Sequence, residues 1–354
     1  MENRITLKDI AKELGVSIGT VDRAIHGRGR INPETRAKVM DKIHEVGYKT
    51  NNIARALRKN QVIKIMLIAP TYNYFFRDIM RGVSDGCSEM SDYSIVLDVI
   101  SADSENDPIG QMRDVEMALE HDMGGLIIVP LHPSLLQGVI DKTTQRGVPV
   151  VTVNLDSVDS KRICHVGQDS FKTGAIIGQL IGKFLCGSGR VSILSGVSDL
   201  FSWQYREEGF IDALNKNFPD IVVTGKYSYA NDIQVAYEIS KMLLSSDPGL
   251  SGLFANTTAG TIGIGLAIRD LGKCGQIASV CYDTQSEVMD LLDINAVIAT
   301  VTQNPYLQGY FAAKIMCKVL LESFCPKDDL YYMRADIIVS REHYELNAHT
   351  INEA

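Results

Sequence analysis

The sequence predicts a small all-α unit followed by a larger α/β unit built on parallel sheets. From Ile63 onward, short runs rich in valine and isoleucine recur about every 25 to 30 residues, separated by helical patterns. Such continuous apolar runs are typical of parallel strands covered on both faces. The first sixty residues have helix start and stop signals instead. They carry a net charge of +6, whereas the rest of the chain carries −14. This division indicates that only the first unit meets a polyanion.

The composition describes an ordinary globular protein. A chain of 354 residues is too long for one core and predicts two or three domains. No apolar run approaches the roughly 20 residues that span a bilayer, and the N-terminus is charged where a signal peptide would be apolar. We therefore expect a cytoplasmic protein. The seven cysteines stand singly, without a metal-site spacing, so we expect buried, reduced thiols and no metal.

The segment TLKDIAKELGVS predicts a short helix, a tight turn and the start of a second helix. Thr6 can cap the first helix, Gly15 supplies the left-handed residue that ends it, and Ser17 can cap the second. A third helix starts at Asn32 and Pro33 and runs to Gly47. The first two helices make a helix-turn-helix. A helical cap domain that does not bind DNA is the alternative, and the basic charge disfavours it.

The runs TLKDIAKELGVSIGTVDRAIHG and RINPETRAKVMDKIHEVGYKTNNIARALR resemble the N-terminal headpiece of the lactose-repressor (LacI/GalR) family, including its hinge segment. The resemblance covers residues 6–58. It implies that residues 1–60 form a DNA-binding headpiece with a hinge helix. In that family the second helix enters the major groove of the operator, and the hinge helices of two subunits pair in the minor groove.

Carried over to this chain, the resemblance makes Ile18, Gly19 and Arg23 the candidates for contacts with base edges, and Ser17 and Thr20 the candidates for contacts with phosphates. The physics agrees, because the N-terminal end of a recognition helix points into the groove. An arginine presents two donors that match O6 and N7 of guanine. The full predicted DNA-contacting set is Thr6, Ser17, Ile18, Gly19, Thr20, Asp22, Arg23, His26, Asn51, Ala54, Arg55 and Leu57.

Two members of this set have alternative interpretations. Leu57 stands where the family inserts a leucine into a central base step, although a lone leucine on a short helix is more often simple packing. Asp22 stands where the family usually has serine, near phosphate. Its carboxylate either weakens the contact with the DNA backbone, or orients Arg23 or accepts a hydrogen bond from a cytosine amino group. The hinge, residues 51–59, is too short to be helical alone and should order only on DNA.

The larger unit, residues 61–354, contains eight predicted strands, which exceed one small sheet and predict two. The segments APTYNYFFRDIMRGV, HVGQDSFKTGAIIGQLI, YREEGFIDAL, VCYDT and ATVTQNPYLQGYFAAKI resemble the periplasmic-binding-protein module of the same family. The resemblance implies two Rossmann-like lobes with a small molecule between them. Lobe one is expected at about 62–160 and 305–330, lobe two at about 162–302 and 331–345, and the three crossings near 155–163, 302–305 and 330–334. The predicted strands are IKIMLIAP, YSIVLDVI, GGLIIVPL, VPVVTVN, GRVSILSG, LSGLFANT, QIASVCYD and AVIATVTQ.

Polar and aromatic residues collect where the predicted strands end, which is where ligands bind in open α/β sheets. Rings with fixed amides and one carboxylate suit a polyhydroxylated ligand, since sugar C–H faces stack on aromatics and hydroxyls need buried partners. The alternative is that each residue only caps a helix or fills a loop. The predicted ligand-binding set is Asn73, Phe75, Phe76, Asn154, Trp203, Gln204, Thr257, Asp283 and Gln303.

Three positions depart from the family's sugar-site pattern. Asn154 and Leu155 stand where sugar-binding members often have Asp-Arg, Gln204 stands where an arginine is common, and Thr257-Thr258 replaces a frequent Asn-Asp. Neutral groups have thus replaced charged ones. The departures make a simple hexose or pentose a less certain ligand. A derivatised sugar, a glycoside or another polar metabolite is an alternative ligand.

These observations favour a DNA-binding transcriptional repressor that acts as a homodimer on a pseudo-palindromic operator and responds to a sugar or sugar derivative. The alternative is an α/β ligand-binding protein or enzyme with an accessory helical domain, and the complete helix-turn-helix with its hinge disfavours it. We expect no enzymatic activity and no cofactor. GTIGIG at 260–265 lacks the spacing of a dinucleotide motif and lies in an expected helix. Whether the ligand releases DNA or promotes binding depends on which state it prefers.

Overall fold

The computed structural model describes residues 7–26, 32–45, 62–71, 74–90, 94–102, 107–196, 201–322 and 324–344. The chain divides into two compact units, residues 1–60 and residues 61–354. In the described residues, no helix is both long enough and apolar enough to cross a membrane.

The described residues of the first unit form three helices, α1 (Leu7–Glu13), α2 (Ile18–His26) and α3 (Pro33–Glu45). Gly15, with φ of +65°, makes the turn between α1 and α2, where a left-handed backbone favours glycine. Ser17 Oγ accepts from the Thr20 amide at 3.1 Å, and Asn32 Oδ1 accepts from the Glu34 amide at 2.9 Å. The predicted starts of α2 and α3 are therefore confirmed. The core of the unit is formed by Ile10, Ala11, Val21, Ala24 and Val39.

The second unit alternates strands and helices along most of its length. In chain order it contains β1 (Ile63–Pro70), α4 (Tyr74–Ser88), β2 (Ile95–Ala102), α5 (Pro108–Glu120), β3 (Gly125–Ile128), α6 (Pro133–Gln145), β4 (Val150–Val153), β5 (Cys164–Gly167), α7 (Ser170–Phe184), β6 (Ser188–Ser195), α8 (Phe201–Asn217), β7 (Asp220–Ser228), α9 (Ile233–Ser246), β8 (Leu250–Ala255), α10 (Thr258–Asp270), β9 (Ala278–Tyr282), α11 (Ser286–Asp293), β10 (Ala299–Val301), α12 (Pro305–Glu322), β11 (Leu330–Tyr332) and β12 (Ile337–Ile338).

These strands form two six-stranded sheets with matching topology. The first sheet has the order β11-β5-β4-β3-β1-β2, and the second has the order β12-β10-β9-β8-β6-β7. The neighbouring strands are parallel throughout, except that β12 is antiparallel to β10. Each of β1 to β5 therefore has a counterpart at the same place among β6 to β10. The predicted α/β class with two parallel sheets is confirmed.

Two helices pack on the opposite lobe from the strand that they follow. Helix α7 follows β5 of the first sheet but packs on α8 in the second lobe, and α12 follows β10 of the second sheet but packs on α4 in the first lobe. Both helix pairs touch backbone to backbone. A Cβ atom at Gly309 would lie 2.0 Å from the carbonyl oxygen of Ile79, and one at Gly209 would lie 1.9 Å from that of Phe171. Glycine is therefore required at both contacts.

The expected position of the first crossing, residues 155–163, is wrong. Strand β5 pairs with β4 in the first sheet, so the chain leaves the first lobe only after Gly167. Lobe one therefore extends past residue 160, and the crossing is residues 168–169. The second crossing, 302–304, lies where it was expected. The third lies at 333–336, slightly later than expected, because β11 still belongs to the first sheet.

All eight predicted strands are present, and four more occur, namely β5, β7, β11 and β12. Strands β11 and β12 are two or three residues long, and β7 is an edge strand with exposed Val222. None of the four has the continuous apolar run that marks a strand covered on both faces. The expectation that all cysteines are buried is also wrong. All seven are free, but Cys186 and Cys325 are exposed because they lie in turns and loops outside the sheets.

Candidate functional site

The N-terminal part of α2 presents the residues predicted to contact DNA. Ile18 has 48% of its surface exposed although it is apolar, and Ser17 and Gly19 are exposed beside it. Ser17 Oγ and Thr20 Oγ1 are 2.8 Å apart. Val21 and Ala24 face inward and form part of the core. The helix therefore packs one face against the core of the unit and exposes another face, which begins at Ile18.

Several predicted contacts lie outside the described part of the chain. Asp22, Arg23 and His26 belong to α2, but their side chains are among the residues that the structure does not describe. The same holds for Thr6, Asn51, Ala54, Arg55 and Leu57 of the headpiece and for Asn73 of the larger unit. The roles of all these residues stay predictions.

In the first lobe, the predicted ligand-binding residues lie at the carboxyl ends of β1 and β4. Phe75 and Phe76 lie in the first turn of α4, the helix that follows β1, and their rings meet edge to face with centroids 5.6 Å apart. Asn154 follows β4 with φ of +64°, and its amide N–H donates to the carbonyl of Val166 on β5 at 2.9 Å. The Asn154 side chain makes no hydrogen bond with the other described residues. Its amide is therefore available to a ligand.

In the second lobe, Asp283 follows β9 in the same way. Its φ is +68°, and its amide N–H donates to the carbonyl of Val301 on β10 at 3.0 Å. The carboxylate accepts from Thr258 Oγ1 at 2.6 Å and from Gln303 Nε2 at 2.8 Å. Burial raises the pKa of the Asp283 carboxyl, and the hydrogen bond from Thr258 opposes this shift. The structure thus brings the predicted Asp283 and Gln303 into direct contact.

Arg206 is a buried member of this group that the sequence did not single out. It is 6% exposed, its Nη2 donates to Gln303 Oε1, and its Nη1 donates to the carbonyl of Asn256 at 3.0 Å. The guanidinium carbon lies 4.1 Å from the ring centroid of Tyr282. Because Arg206 lies within a helix and not after a strand, the search at strand ends did not find it. The adjacent charges in YREEGF, on a face that must also bury Phe210, were the available signal.

A second buried carboxylate, Glu207, lies beside Arg206. It accepts from Asn256 Nδ2 at 2.7 Å, from Ser195 Oγ and from Lys226 Nζ. Asn256 Oδ1 in turn accepts from the Gly196 amide at 2.9 Å. This chain of bonds fixes the ends of β6 and β8 at the edge of the sheet where the predicted site lies. Sequence reasoning missed both Glu207 and Asn256.

The remaining predicted residues have different environments. Trp203 is half-buried and packs against Gly196, where a Cβ atom would lie 2.9 Å from the indole ring. Gln204, on the next position of α8, is exposed. Thr257 caps α10 by accepting from the Gly260 amide at 3.4 Å, and its hydroxyl also bonds with Tyr229 Oη. Thr257 therefore has the capping contacts of the alternative interpretation.

Buried charges of both signs lie around the cleft. The buried Arg206 lies beside the buried Asp283 and Glu207, and the half-exposed Lys226 pairs with Glu207. Within the described residues, no group of three His, Cys, Asp or Glu side chains is placed to hold a metal ion. The site thus offers amides, hydroxyls and aromatic rings beside one buried cation, Arg206, whose Nε has no hydrogen-bond partner among the described residues. Such a set suits a hydroxylated ligand, because hydroxyl groups can both donate to and accept from these side chains.

Comparison with protein families identifies both units. Residues 6–51 match the model of bacterial regulatory proteins of the lacI family, and residues 65–322 match the model of a periplasmic binding protein domain. The chain belongs to the lacI family. The predicted class of function, a DNA-binding transcriptional regulator with a ligand-binding domain, is therefore confirmed.

Two relatives that this lacI-family chain matches over most of their length are named as regulators. The ribose operon repressor of Escherichia coli is 28% identical over 287 residues, which cover 78% of this chain and 82% of the relative. Catabolite control protein A of Priestia megaterium is 24% identical over 331 residues, covering 89% and 92%. Among solved structures, a sugar-binding protein of a Bacillus halodurans ABC transporter is similar with a TM-score of 0.74 and 21% identity, covering 80% of this chain and 99% of that one. This last likeness shows the fold.

Proposed function

We propose that this lacI-family regulator represses transcription as a homodimer on a pseudo-palindromic operator, and that a neutral sugar or sugar derivative bound between the two lobes controls its affinity for DNA. The observation that carries the ligand proposal is the group formed by Asp283, Gln303 and Arg206. These side chains converge from the ends of β9 and β10 and from α8, and Gln303 bonds to both Arg206 and Asp283. Relatives that are named for ribose support the same class of ligand.

Neutral residues at the positions of Leu155 and Gln204 narrow the range of possible ligands. Leu155 is buried directly after Asn154, and exposed Gln204 follows the half-buried ring of Trp203. An apolar side chain cannot hydrogen-bond a hydroxyl, and a neutral amide cannot pair with a carboxylate or phosphate as an arginine does. These two positions therefore offer no charged partner to an acidic sugar or a sugar phosphate, and we include glycosides and sugars with an apolar substituent in the ligand class.

Control of DNA binding follows from how the lobes are joined. The three crossings are bonded to one another: Gln168 Nε2 donates to the carbonyl of Thr302, and Asn304 Nδ2 donates to that of Arg334. A ligand that prefers one relative orientation of the lobes shifts the population toward it. In a dimer, that shift changes the separation of the two headpieces and hence the ordering of the hinge helices on the operator.

Operator selection with the full-length protein tests this proposal. The protein is first incubated with a randomised duplex library, and the selected operator is then titrated alone and with D-ribose, D-allose, D-arabinose or D-galactose. We expect a two-fold symmetric site, a protein dimer in sedimentation, and at least a fivefold change in operator affinity with one sugar. A monomer on an asymmetric site contradicts the dimer model. Purified protein that chemically converts any of these sugars contradicts the assignment as a regulator.

A truncation separates the two units. A fragment that ends at residue 60 loses the surface through which we propose that the chain dimerises, so it should bind the selected operator at least 100-fold more weakly than the full chain. Undiminished affinity of the fragment would show that the second unit contributes no dimer contact. Thermal unfolding of the full chain, measured with each sugar, detects ligand binding independently of DNA.

A further inference from the structure

Gln168 lies on the first crossing between the lobes and is absent from the predicted ligand-binding set. The residue is 9% exposed. Its Nε2 donates to the carbonyl of Thr302 on the second crossing at 2.6 Å. Its Oε1 is buried and has no hydrogen-bond partner among the described residues. The nitrogen of the amide therefore bonds to the second crossing, and the oxygen is a buried acceptor without a donor among the described residues.

The bond to Thr302 fixes which way the amide points. A backbone carbonyl can only accept, so the atom that faces it must be the NH₂ group, and the other atom must be the carbonyl oxygen. Oε1 of Gln168 is thus a fixed acceptor. A buried acceptor without a donor destabilises the protein, so this arrangement favours a ligand that brings a donor.

The matching topology of the lobes gives a second, independent observation. Asn154 donates its amide to Val166, and Asp283 donates its amide to Val301. Gln168 comes two residues after Val166, and Gln303 comes two residues after Val301. Helices α7 and α12 then begin at the same spacing, two residues further on. Gln168 is therefore the counterpart in the first lobe of Gln303, which contacts Asp283 in the second.

The two glutamines differ in what they have left to offer. Oε1 of Gln303 already accepts from Arg206, and its Nε2 donates to Asp283. Oε1 of Gln168 has no such donor. The amide group of Gln168 also touches the carbonyl of Thr302, which directly precedes Gln303 in the chain. The unpartnered acceptor thus belongs to an amide that is bonded to the residue directly before Gln303, a member of the proposed ligand site.

We propose that Gln168 is a further ligand-contacting residue that determines specificity: its Oε1 accepts a hydrogen bond from one hydroxyl of the sugar at the hinge end of the cleft. This inference rests on the proposed function, since it assumes that the ligand is a sugar. It predicts that the hydroxyl at that position must be free. A deoxy sugar leaves the acceptor unpaired, and an ether or carbonyl places a second acceptor against it.

The test measures how the full-length protein discriminates between a sugar and its deoxy derivatives. The parent is the tightest-binding member of the set D-ribose, D-allose, D-arabinose and D-galactose, and the series contains each of its mono-deoxy derivatives. Calorimetry gives the affinities for the wild type, for Gln168→Met and for the control Gln308→Met. Gln308 makes the matched bond, from its Nε2 to the carbonyl of Gln303 at 2.8 Å, and its Oε1 is also unpartnered among the described residues. It lies in the first turn of α12 and bonds to the second crossing, but it is not itself on a crossing.

We expect the wild type to bind one deoxy derivative at least tenfold more weakly than the parent, because a fixed acceptor has lost its donor. In Gln168→Met, that one difference should shrink to less than threefold while the others remain. In Gln308→Met, the complete pattern should remain. If thermal unfolding shows that Gln168→Met does not fold, Gln168→Ser, which is smaller, is measured in its place.

Two results would overturn the inference. One is a folded Gln168 variant with the same discrimination as the wild type. The other is a Gln308→Met protein that loses the same discrimination, which would mean that the crossing acts without a contact to the sugar. If the wild type binds none of the four sugars, the proposed function itself fails in its sugar form, and the inference fails with it.

Discussion

The guanidinium carbon of Arg206 lies 4.1 Å from the ring centroid of Tyr282, while the two terminal nitrogens bond to Asn256 and Gln303. The ring comes from β9, and the two acceptors follow β8 and β10. One buried cation therefore connects the carboxyl ends of three neighbouring strands. A cation over an aromatic face is stabilised further when it is shielded from water, as Arg206 is.

Replacement of this cation should lower the stability of the protein. Arg206→Met removes two charged hydrogen bonds and leaves Gln303 Oε1 without its donor, so we expect a loss of at least about 2 kcal/mol in the free energy of unfolding. Urea unfolding of the full chain measures it. The matched control is Arg190→Met, which breaks an exposed ion pair with Asp247 and should cost less than about 1 kcal/mol. Equal losses in the two variants would show that Arg206 does not stabilise the protein by connecting the ends of these strands.

The side chain of Asn154 can be removed without disturbing its backbone. Its φ of +64° is one that glycine adopts freely, so Asn154→Gly should remain within about 1 kcal/mol of the parent in unfolding free energy. The variant loses the amide that we expect to contact the ligand, so its affinity for the sugar should fall about tenfold. Asn295→Gly is the control, because Asn295 has φ of +56° in an exposed turn after α11. Unchanged affinity in Asn154→Gly would remove this residue from the site.

The sequence predicted the site residues that follow long apolar strands, and it missed those that do not. Asn154, Asp283 and Gln303 were found because the carboxyl ends of parallel strands meet at one edge of a sheet. Arg206 and Glu207 were missed because they lie inside a helix, where burial depends on tertiary packing. Gln168 was missed because β5 was not recognised as a strand.

The reason that β5 escaped recognition is physical. Its four residues, CHVG, are all buried, but they include a histidine. So short a run with a polar side chain in it does not have the apolar pattern of a strand that is covered on both faces. In the structure, His165 Nδ1 lies 3.1 Å from Thr152 Oγ1, whose hydroxyl donates to Asp156 at 2.9 Å. Partners that only the fold brings together make a polar side chain compatible with a central strand. The error in the first crossing follows directly from this missed strand.

His165 should make the second unit sensitive to mild acid. Burial lowers the pKa of its imidazole to about 4, and the nearby Asp156 carboxylate only partly opposes this shift. The unfolded chain binds the proton with a pKa of about 6.5. The contribution of the neutral His165 to the unfolding free energy is therefore fully present above that pH, and it is lost as the pH falls from about 6.5 toward 4. Between pH 7 and pH 5, this group should account for about 2 kcal/mol of lost unfolding free energy.

Unfolding of His165→Asn at the two pH values checks this expectation. Asparagine retains an amide donor for Thr152 but does not titrate, so the pH-dependent loss should be about 2 kcal/mol smaller than in the wild type. His121→Asn, at an exposed position, should retain the full loss. A wild-type profile identical to that of His165→Asn would show that His165 is protonated equally in the folded and unfolded states.

Two substitutions in the headpiece should separate base recognition from phosphate binding. Arg23→Ala should relax sequence choice at one operator position by about 1 to 3 kcal/mol, because a bidentate contact to guanine distinguishes it from the other bases. Thr20→Val should weaken binding to all sequences by a similar factor, because phosphates carry no sequence information. Binding to the selected operator and to random DNA, at the same salt concentration, measures both effects. Equal losses on both DNAs for both variants would contradict the assignment of Arg23.

Asp22 is the position at which α2 departs most clearly from the expected recognition helix. The helix begins with exposed Ser17 and Ile18 and buries Val21, so a carboxylate one residue later adds negative charge to an element that we expect to lie against DNA. If the carboxylate only repels phosphates, Asp22→Ser should bind the same operator more tightly, by about threefold to tenfold at low salt, and the gain should shrink as salt is added. If it orients Arg23 or accepts from cytosine, the preferred base should change instead. Selection from a randomised operator library with the parent and with Asp22→Ser decides between these outcomes, and we expect the unchanged site with the higher affinity.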